Sequence, residues 1–402
     1  MWADYFRLAF KTFLTQKKRT FLTLLGIFIG IAAVVSLISL GQGLKSGIDK
    51  QFEILGTNKI FVMPGTGGGF NFAQTAKLTS DDMDVIRSTS GVEEASGMIY
   101  KMASVEFGGE RKYTFVIGID DSDSSFDAVL ESFGVLIDDG RGVESVKEAN
   151  IGYRFGIGDF FDSAVESGDK MVIEGKKFKA AGTVTQVGNP QDDSNIYITL
   201  DAANDLFGTS KDEMDQIMVT VKDGEDTPTV SDRIKRRMRN IRNVDEGDED
   251  FTVQTTEDFA ETFGIVLTIV QIILIGISAI SLLVGGVNIA NTMYTAVMER
   301  TREIGVMKAI GARNSDVFMI FLIESGILGV AGGIIGIIIG IGLSKMVSFA
   351  AIATGYTFIE TSFPWYLTFG ALLFSFVVGA MAGTLPAIQA SKLKPVDALR
   401  YE

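Results

Sequence analysis

Four apolar stretches, each long enough to cross a lipid bilayer as a helix, decide what this 402-residue chain can fold into. A bilayer core of about 30 Å needs roughly 20 apolar residues in helical form. Phe21–Leu40, Phe263–Ala290, Val317–Leu343 and Trp365–Leu385 all meet that length, and only the third carries a charge, Glu324, near its start. Helices buried in a soluble core seldom run so far without charges. Between the first two stretches lies a different kind of sequence. Residues 41–262 hold 23 Lys and Arg against 42 Asp and Glu, while the other 180 residues hold 13 against 8. An acidic, water-compatible module is therefore set into a mildly basic membrane frame. That balance excludes nucleic-acid binding, which needs a basic patch on the binding domain. The chain has no His and no Cys, which removes imidazole, thiolate and disulfide chemistry.

Basic residues set the expected orientation. Arg7, Lys11, Lys17, Lys18 and Arg19 precede the first span, Arg300, Arg302, Lys308 and Arg313 lie between the second and third, and Lys392, Lys394 and Arg400 follow the fourth. The positive-inside rule places these segments in the cytoplasm of a cell (inner or cytoplasmic) membrane, with residues 41–262 outside. The first apolar stretch exceeds a signal-peptide core and lacks an Ala-x-Ala site, so it is expected to remain as an anchor.

The expected fold is an α-helical membrane protein of four transmembrane helices plus a large α+β extracytoplasmic domain of two lobes. The domain boundaries are a cytoplasmic segment at 1–20, spans at 21–40, 263–290, 317–343 and 365–385, and the exterior domain at 41–262. A cytoplasmic loop at 291–316, a short external loop at 344–364 and a cytoplasmic tail at 386–402 complete the chain. In the exterior domain, Met98–Phe107 and Arg111–Ile119 alternate around Gly108-Gly109 as a hairpin. Leu78–Ser88 reads as a helix and Asp226–Asn240 as a basic one, with strands at Lys59–Met63, Lys170–Ile173, Lys177–Thr185, Ile196–Thr199, Gln216–Val221 and Phe251–Gln254. A second lobe at about 150–201 is inserted in the first. Asp120, Asp121, Asp123 and Asp127 look like a calcium loop, but Phe126 stands where an EF-hand needs glycine. Solvated acidic loops are the expectation there, and no metal site is assigned.

Small residues recur at helical spacing in the spans, and of these Gly26 and Gly30 are expected at a dimer or helix-packing contact. The loop Met298–Ala312 places Ile304, Met307 and Ile310 on one stripe of a short helix, with Glu299, Arg300, Arg302, Glu303 and Lys308 largely off it. Such a helix either lies on the membrane surface or docks into a groove of a partner.

Three stretches carry a resemblance: KKRTFLTLLGIFIGIAAVVSLISLGQG (17–43), ERTREIGVMKAIGA (299–312) and LPAIQASKLKPVDALRYE (385–402). They resemble the permeases of MacB-like and FtsX-like ABC transporters, of the macrolide-exporter type. The exterior stretches NIGYRFG (150–156) and GNPQDDSNIYITL (188–200) are similar to the same branch. The resemblance implies a four-span homodimer working with two cytoplasmic ATPase domains, the loop helix touching the ATPase. It implies that Glu299, Arg300, Arg302, Glu303, Ile304, Met307, Lys308 and Ile310 form the ATPase-coupling element. No Gly-x-x-x-x-Gly-Lys-Ser/Thr loop occurs in the 402 residues, so nothing here can cradle ATP phosphates. The ATPase is expected as a separate polypeptide holding ATP and Mg, and the chain itself is expected to be neither an enzyme nor a cofactor carrier. The expected output is export or extrusion of a peptide, drug or lipid-linked substrate, with an extracytoplasmic adaptor or substrate protein as a further partner. The alternative is a signalling permease that regulates an extracellular hydrolase.

Overall fold

A computed structural model describes residues 17–65, 77–122, 124–210, 212–357 and 359–399, with the side chains of 17–23 and 399 outside that description. Arg7, Lys11, Gly67–Gly69, Asp123 and Arg400 lie outside the described residues. The chain divides into two units, a membrane unit (1–45, 266–350 and 359–402) and an α/β unit (46–265 and 351–358).

The membrane unit is built from four helices long and apolar enough to cross a bilayer. They are α1 (Lys17–Leu55), α7 (Thr256–Glu299), α9 (Asn314–Ala353) and α10 (Trp365–Lys392); the short α8 (Thr301–Ala309) and α11 (Pro395–Leu399) complete the unit. Each of the four outruns the apolar stretch that nucleates it, because propagation costs little once a helix exists, and α10 runs on through Pro386. Gly56, at φ +84°, stops α1. Ile27, Ile31, Leu282, Ile289, Phe321, Ile337 and Ala387 meet in one core. Meanwhile Ile272, Ile280, Leu283, Phe369 and Leu373 remain exposed on the helices, as lipid-facing residues must.

Glycines set how close these helices come. A Cβ on Gly26 would lie 2.6 Å from the Gly285 Cα, and one on Gly30 would lie 2.8 Å from Leu282. The groove of α1 is thus filled by α7 of the same chain. Gly26 and Gly30 do serve helix packing, but a second copy cannot use the same face, and the expectation of a dimer seam there is corrected. On its other side α1 meets α9, where a Cβ on Gly336 or Gly340 would strike the carbonyl oxygens of Phe28 and Ala32, each at 2.8 Å. Gln271, a polar residue within a span, packs on Gly41.

The α/β unit contains twelve strands among the described residues: β1 (Lys59–Pro64), β2 (Leu78–Thr79), β3 (Val92–Phe107), β4 (Glu110–Ile119), β5 (Ile137–Gly140), β6 (Glu148–Ile151), β7 (Lys170–Ile173), β8 (Lys176–Val184), β9 (Ile196–Thr199), β10 (Glu213–Met214), β11 (Gln216–Val221) and β12 (Phe251–Thr255). Ten form one mixed sheet in the order β12-β1-β11-β3-β4-β9-β6-β8-β5, with β7 alongside β3 and β8. Helices α2 (Ser80–Arg87), α3 (Phe126–Ser132), α4 (Tyr153–Gly156), α5 (Leu200–Phe207) and α6 (Thr227–Arg242) pack on it.

Two lobes are present as separate cores, one around Ile60, Ile86, Val219 and Ile234, the other around Phe155, Phe161, Ile173 and Ile196. The lobes share the sheet, however. The long β3–β4 hairpin feeds Ala103, Val105 and Val116 into the second core, and β6 begins at Glu148. The second lobe therefore reaches beyond 150–201. The stretch read as a helix from Leu78 opens instead with β2, and Thr79 caps α2 in a capping box with Asp82. The segment 351–358, the end of α9 and the chain just after it, also belongs here. Its Thr357 amide donates to the Gly188 carbonyl at 2.9 Å, and Gly355 lies against Pro190.

Asp82 is buried and takes a bidentate pair from Arg242 (Nη2 to Oδ2 2.5 Å, Nε to Oδ1 2.9 Å), tying α2 to α6. Burial alone would push its carboxyl up, but hydrogen bonds from Arg242 and Thr79 outweigh that and hold it below the usual carboxylate range. The resulting stabilisation is complete above about pH 4, where an unfolded Asp is ionised, and is lost as pH falls through the lower folded value. Asp82→Asn is expected to cost about 1.5–3 kcal/mol at pH 7, the worth of hydrogen bonds to a charged group. Denaturant titration across pH checks this; the difference from wild type should shrink steadily below about pH 4.

Candidate coupling site

Helix α7 ends at Glu299, and the chain turns at Arg300 (φ −102°, ψ 13°) before α8 begins at Thr301. Gly311, at φ +106°, then ends the loop in a conformation that glycine adopts freely. The predicted helix is therefore present but shorter than Glu299–Ala312. Glu299 is the last residue of the preceding helix, and Arg300 is the bend.

The eight predicted residues separate into two groups. Ile304 is fully buried and joins the membrane core, with Met307 partly buried against it. Arg300 turns inward: its Nη1 donates to Glu324 Oε2 at 2.9 Å, its Nε to Glu303 Oε2 at 3.1 Å, and its guanidinium lies 5.3 Å from the Phe321 ring centre. Lys308 also turns inward. Its Nζ donates to the carbonyl oxygens of Ser391 and Leu393, both at 2.6 Å, at the end of α10. A cation there also complements the partial negative charge of a helix C-terminus. These two cations hold the loop against the rest of the chain.

The other group faces out. Arg302, Glu303 and Ile310 are exposed, Ile310 at 83%, and Glu299 is exposed at the end of α7. The anticipated apolar stripe thus divides, Ile304 and Met307 seating the helix while Ile310 stands clear. Val306, 47% exposed, joins Ile310 on the outer side and was not among the expected residues. Helix α11 packs beside α8 and exposes Val396. Glu324 was legible as a carboxylate within a span, and such a residue calls for a partner. Its pairing with Arg300, 24 positions earlier, has no local sequence signal.

Residues 20–237 match the family model of the MacB-like periplasmic core domain, and residues 275–395 that of the FtsX-like permease C-terminal domain. An ABC transporter permease of Methanocaldococcus jannaschii is 37% identical over 401 residues, covering 99% of this chain and 98% of that protein. This chain is an ABC transporter permease of the MacB-like, FtsX-like family. The permease YknZ of Bacillus subtilis is 30% identical over 98% of both chains. The macrolide export ATP-binding/permease protein MacB of Bdellovibrio bacteriovorus is 31% identical over 99% of this permease, which spans 62% of that longer protein. Family membership implies an ATPase partner. The FtsX-like region of this permease contains the whole of α8, α9 and α10.

Proposed function

We propose that this permease transmits ATP-driven motion from a separate cytoplasmic ATPase to its α/β domain, to export or extrude a peptide, drug or lipid-linked substrate. One observation supports the site: α8 is anchored by one face and open on the other. Ile304 is seated in the core while Arg302 and Val306 stand exposed on a helix of nine residues, and Ile310 is exposed at its C-cap. Exposed aliphatic side chains flanked by charge are what a groove-docking helix presents. The permease works as a homodimer with two ATPase subunits, on this reading, through surfaces other than Gly26 and Gly30. ATP and Mg are held by the ATPase.

The test is recruitment. Val306→Asp with Ile310→Asp places two carboxylates where aliphatic contacts should form. Each such contact is worth about 1.5–3 kcal/mol when buried, so co-purification of the ATPase should weaken at least tenfold. Both positions are exposed, so expression and thermal stability of the permease alone should not move. Recruitment and ATPase stimulation equal to wild type would remove α8 from the interface.

A further inference from the structure

A cavity of about 290 Å³ opens inside the α/β unit where the last turn of α1 meets β3, β4 and β9. Its walls are apolar, with Ile54, Leu55, Ile117, Phe133 and Val135 among them. Its other side is polar and carries Asp192, Asn195, Tyr100 and Tyr197. Among the described residues no Lys or Arg lines it.

The two neighbouring carboxylates have different fates. Asp193 is consumed by the backbone: its Oδ1 accepts from the Val187 amide at 2.6 Å and its Oδ2 from the Gly188 amide at 3.2 Å. Asp192 receives only neutral side-chain donors, Asn189 Nδ2 at 3.0 Å and Asn195 Nδ2 at 3.5 Å. Among the described residues it forms no ion pair. That contact turns the Asn195 amide so that Oδ1 points away from the carboxylate. Asn195 is 7% exposed, and its Oδ1 is buried without a hydrogen-bond partner. A buried acceptor left unmade costs about 1–3 kcal/mol, so the polar side of the cavity is short of a donor. An uncompensated carboxylate beside an apolar chamber favours an occupant that is a cation at one end and a hydrocarbon at the other.

We propose that this cavity binds an amphipathic amine, its apolar body against Ile54, Ile117, Phe133 and Val135 and its ammonium on the Asp192 carboxylate. An anion would meet Asp192 unfavourably. A divalent metal would find a single carboxylate here, and no group of three or more acidic side chains that could hold one occurs among the described residues. The volume lies at the small end of ligand sites, room for a single aromatic ring and a short alkyl amine. The site stands independently of the transport reading.

The experiment uses the full chain in nanodiscs without any ATPase, so its failure leaves the coupling role of α8 untouched. Binding of 4-phenylbutylammonium is compared with that of 4-phenylbutyrate by calorimetry and ligand-observed NMR. The amine should saturate one site per chain, and the carboxylate should not saturate. Asp192→Asn should weaken the amine at least tenfold. Val187→Trp, which keeps Asp192 and fills the chamber from a partly exposed wall position, should abolish saturable binding while leaving the unfolding midpoint near wild type. Amine uptake that never saturates, saturable binding retained by both variants, or carboxylate bound as tightly as amine would each overturn the assignment.

Discussion

Arg300→Ala is expected to remove roughly 3–5 kcal/mol from the membrane unit, the cost of leaving a buried charge without its partner. The side chain of Glu324 is only 8% exposed and that of Arg300 14%, and they meet at 2.9 Å. Taking the guanidinium away leaves a buried carboxylate without the cation it pairs with. The double replacement Arg300→Met with Glu324→Met should recover most of that loss, because two apolar side chains of similar volume need no solvation. The single and double variants are compared by the fraction surviving size-exclusion after heating in detergent. If the double variant is as unstable as the single, packing against Phe321, and not the charge pair, carries the stability.

An equally large effect is expected from Gly379→Leu. Helices α9 and α10 cross with their backbones in contact: a Cβ on Gly379 would sit 2.6 Å from the Ser325 carbonyl oxygen and 2.9 Å from the Gly329 Cα. Neither atom belongs to a flexible side chain, so the two helices must separate. Lipid tails are as apolar as leucine, so separation brings no offsetting gain. The loss should exceed the roughly 1–3 kcal/mol of ordinary core overpacking. Expression yield and monodispersity report it, with Gly379→Ala intermediate. Gly370 supplies the control: nothing lies within 4 Å of its would-be Cβ, so Gly370→Leu should behave as wild type. A Gly379→Leu protein as stable as that control would mean that the helices do not touch here.

The spans were legible because a bilayer imposes a length and an absence of charge on every crossing helix, a constraint written directly in composition. The hairpin turn was legible too: Gly108 and Gly109 both take positive φ. What the sequence could not convey is which side of a small residue has a neighbour. Gly26 and Gly30 present the same spacing whether the opposing helix comes from the same chain or from another, and only Gly285 and Leu282 lying across from them decide it. The same limit applies at α8. A three-residue spacing groups Ile304, Met307 and Ile310, yet helix periodicity is 3.6 residues, so the stripe drifts and its last member leaves the core. Arg300 and Lys308 read as surface charges because basic residues in a loop normally are. Their partners, Glu324 and the carbonyls of Ser391 and Leu393, lie 24 to 85 residues away.

Residues 351–358 have a practical consequence for anyone exchanging domains between relatives. By sequence they fall inside the FtsX-like half, residues 275–395, and a chimera cut at the family boundaries would take them from the wrong parent. By structure they belong with the α/β unit, where Thr357 bonds the Gly188 carbonyl and Gly355 abuts Pro190. A transplanted α/β domain should therefore travel with its own segment 351–358, as a graft in two pieces. One piece alone would bring mismatched residues to the turn that closes around Gly188 and Pro190.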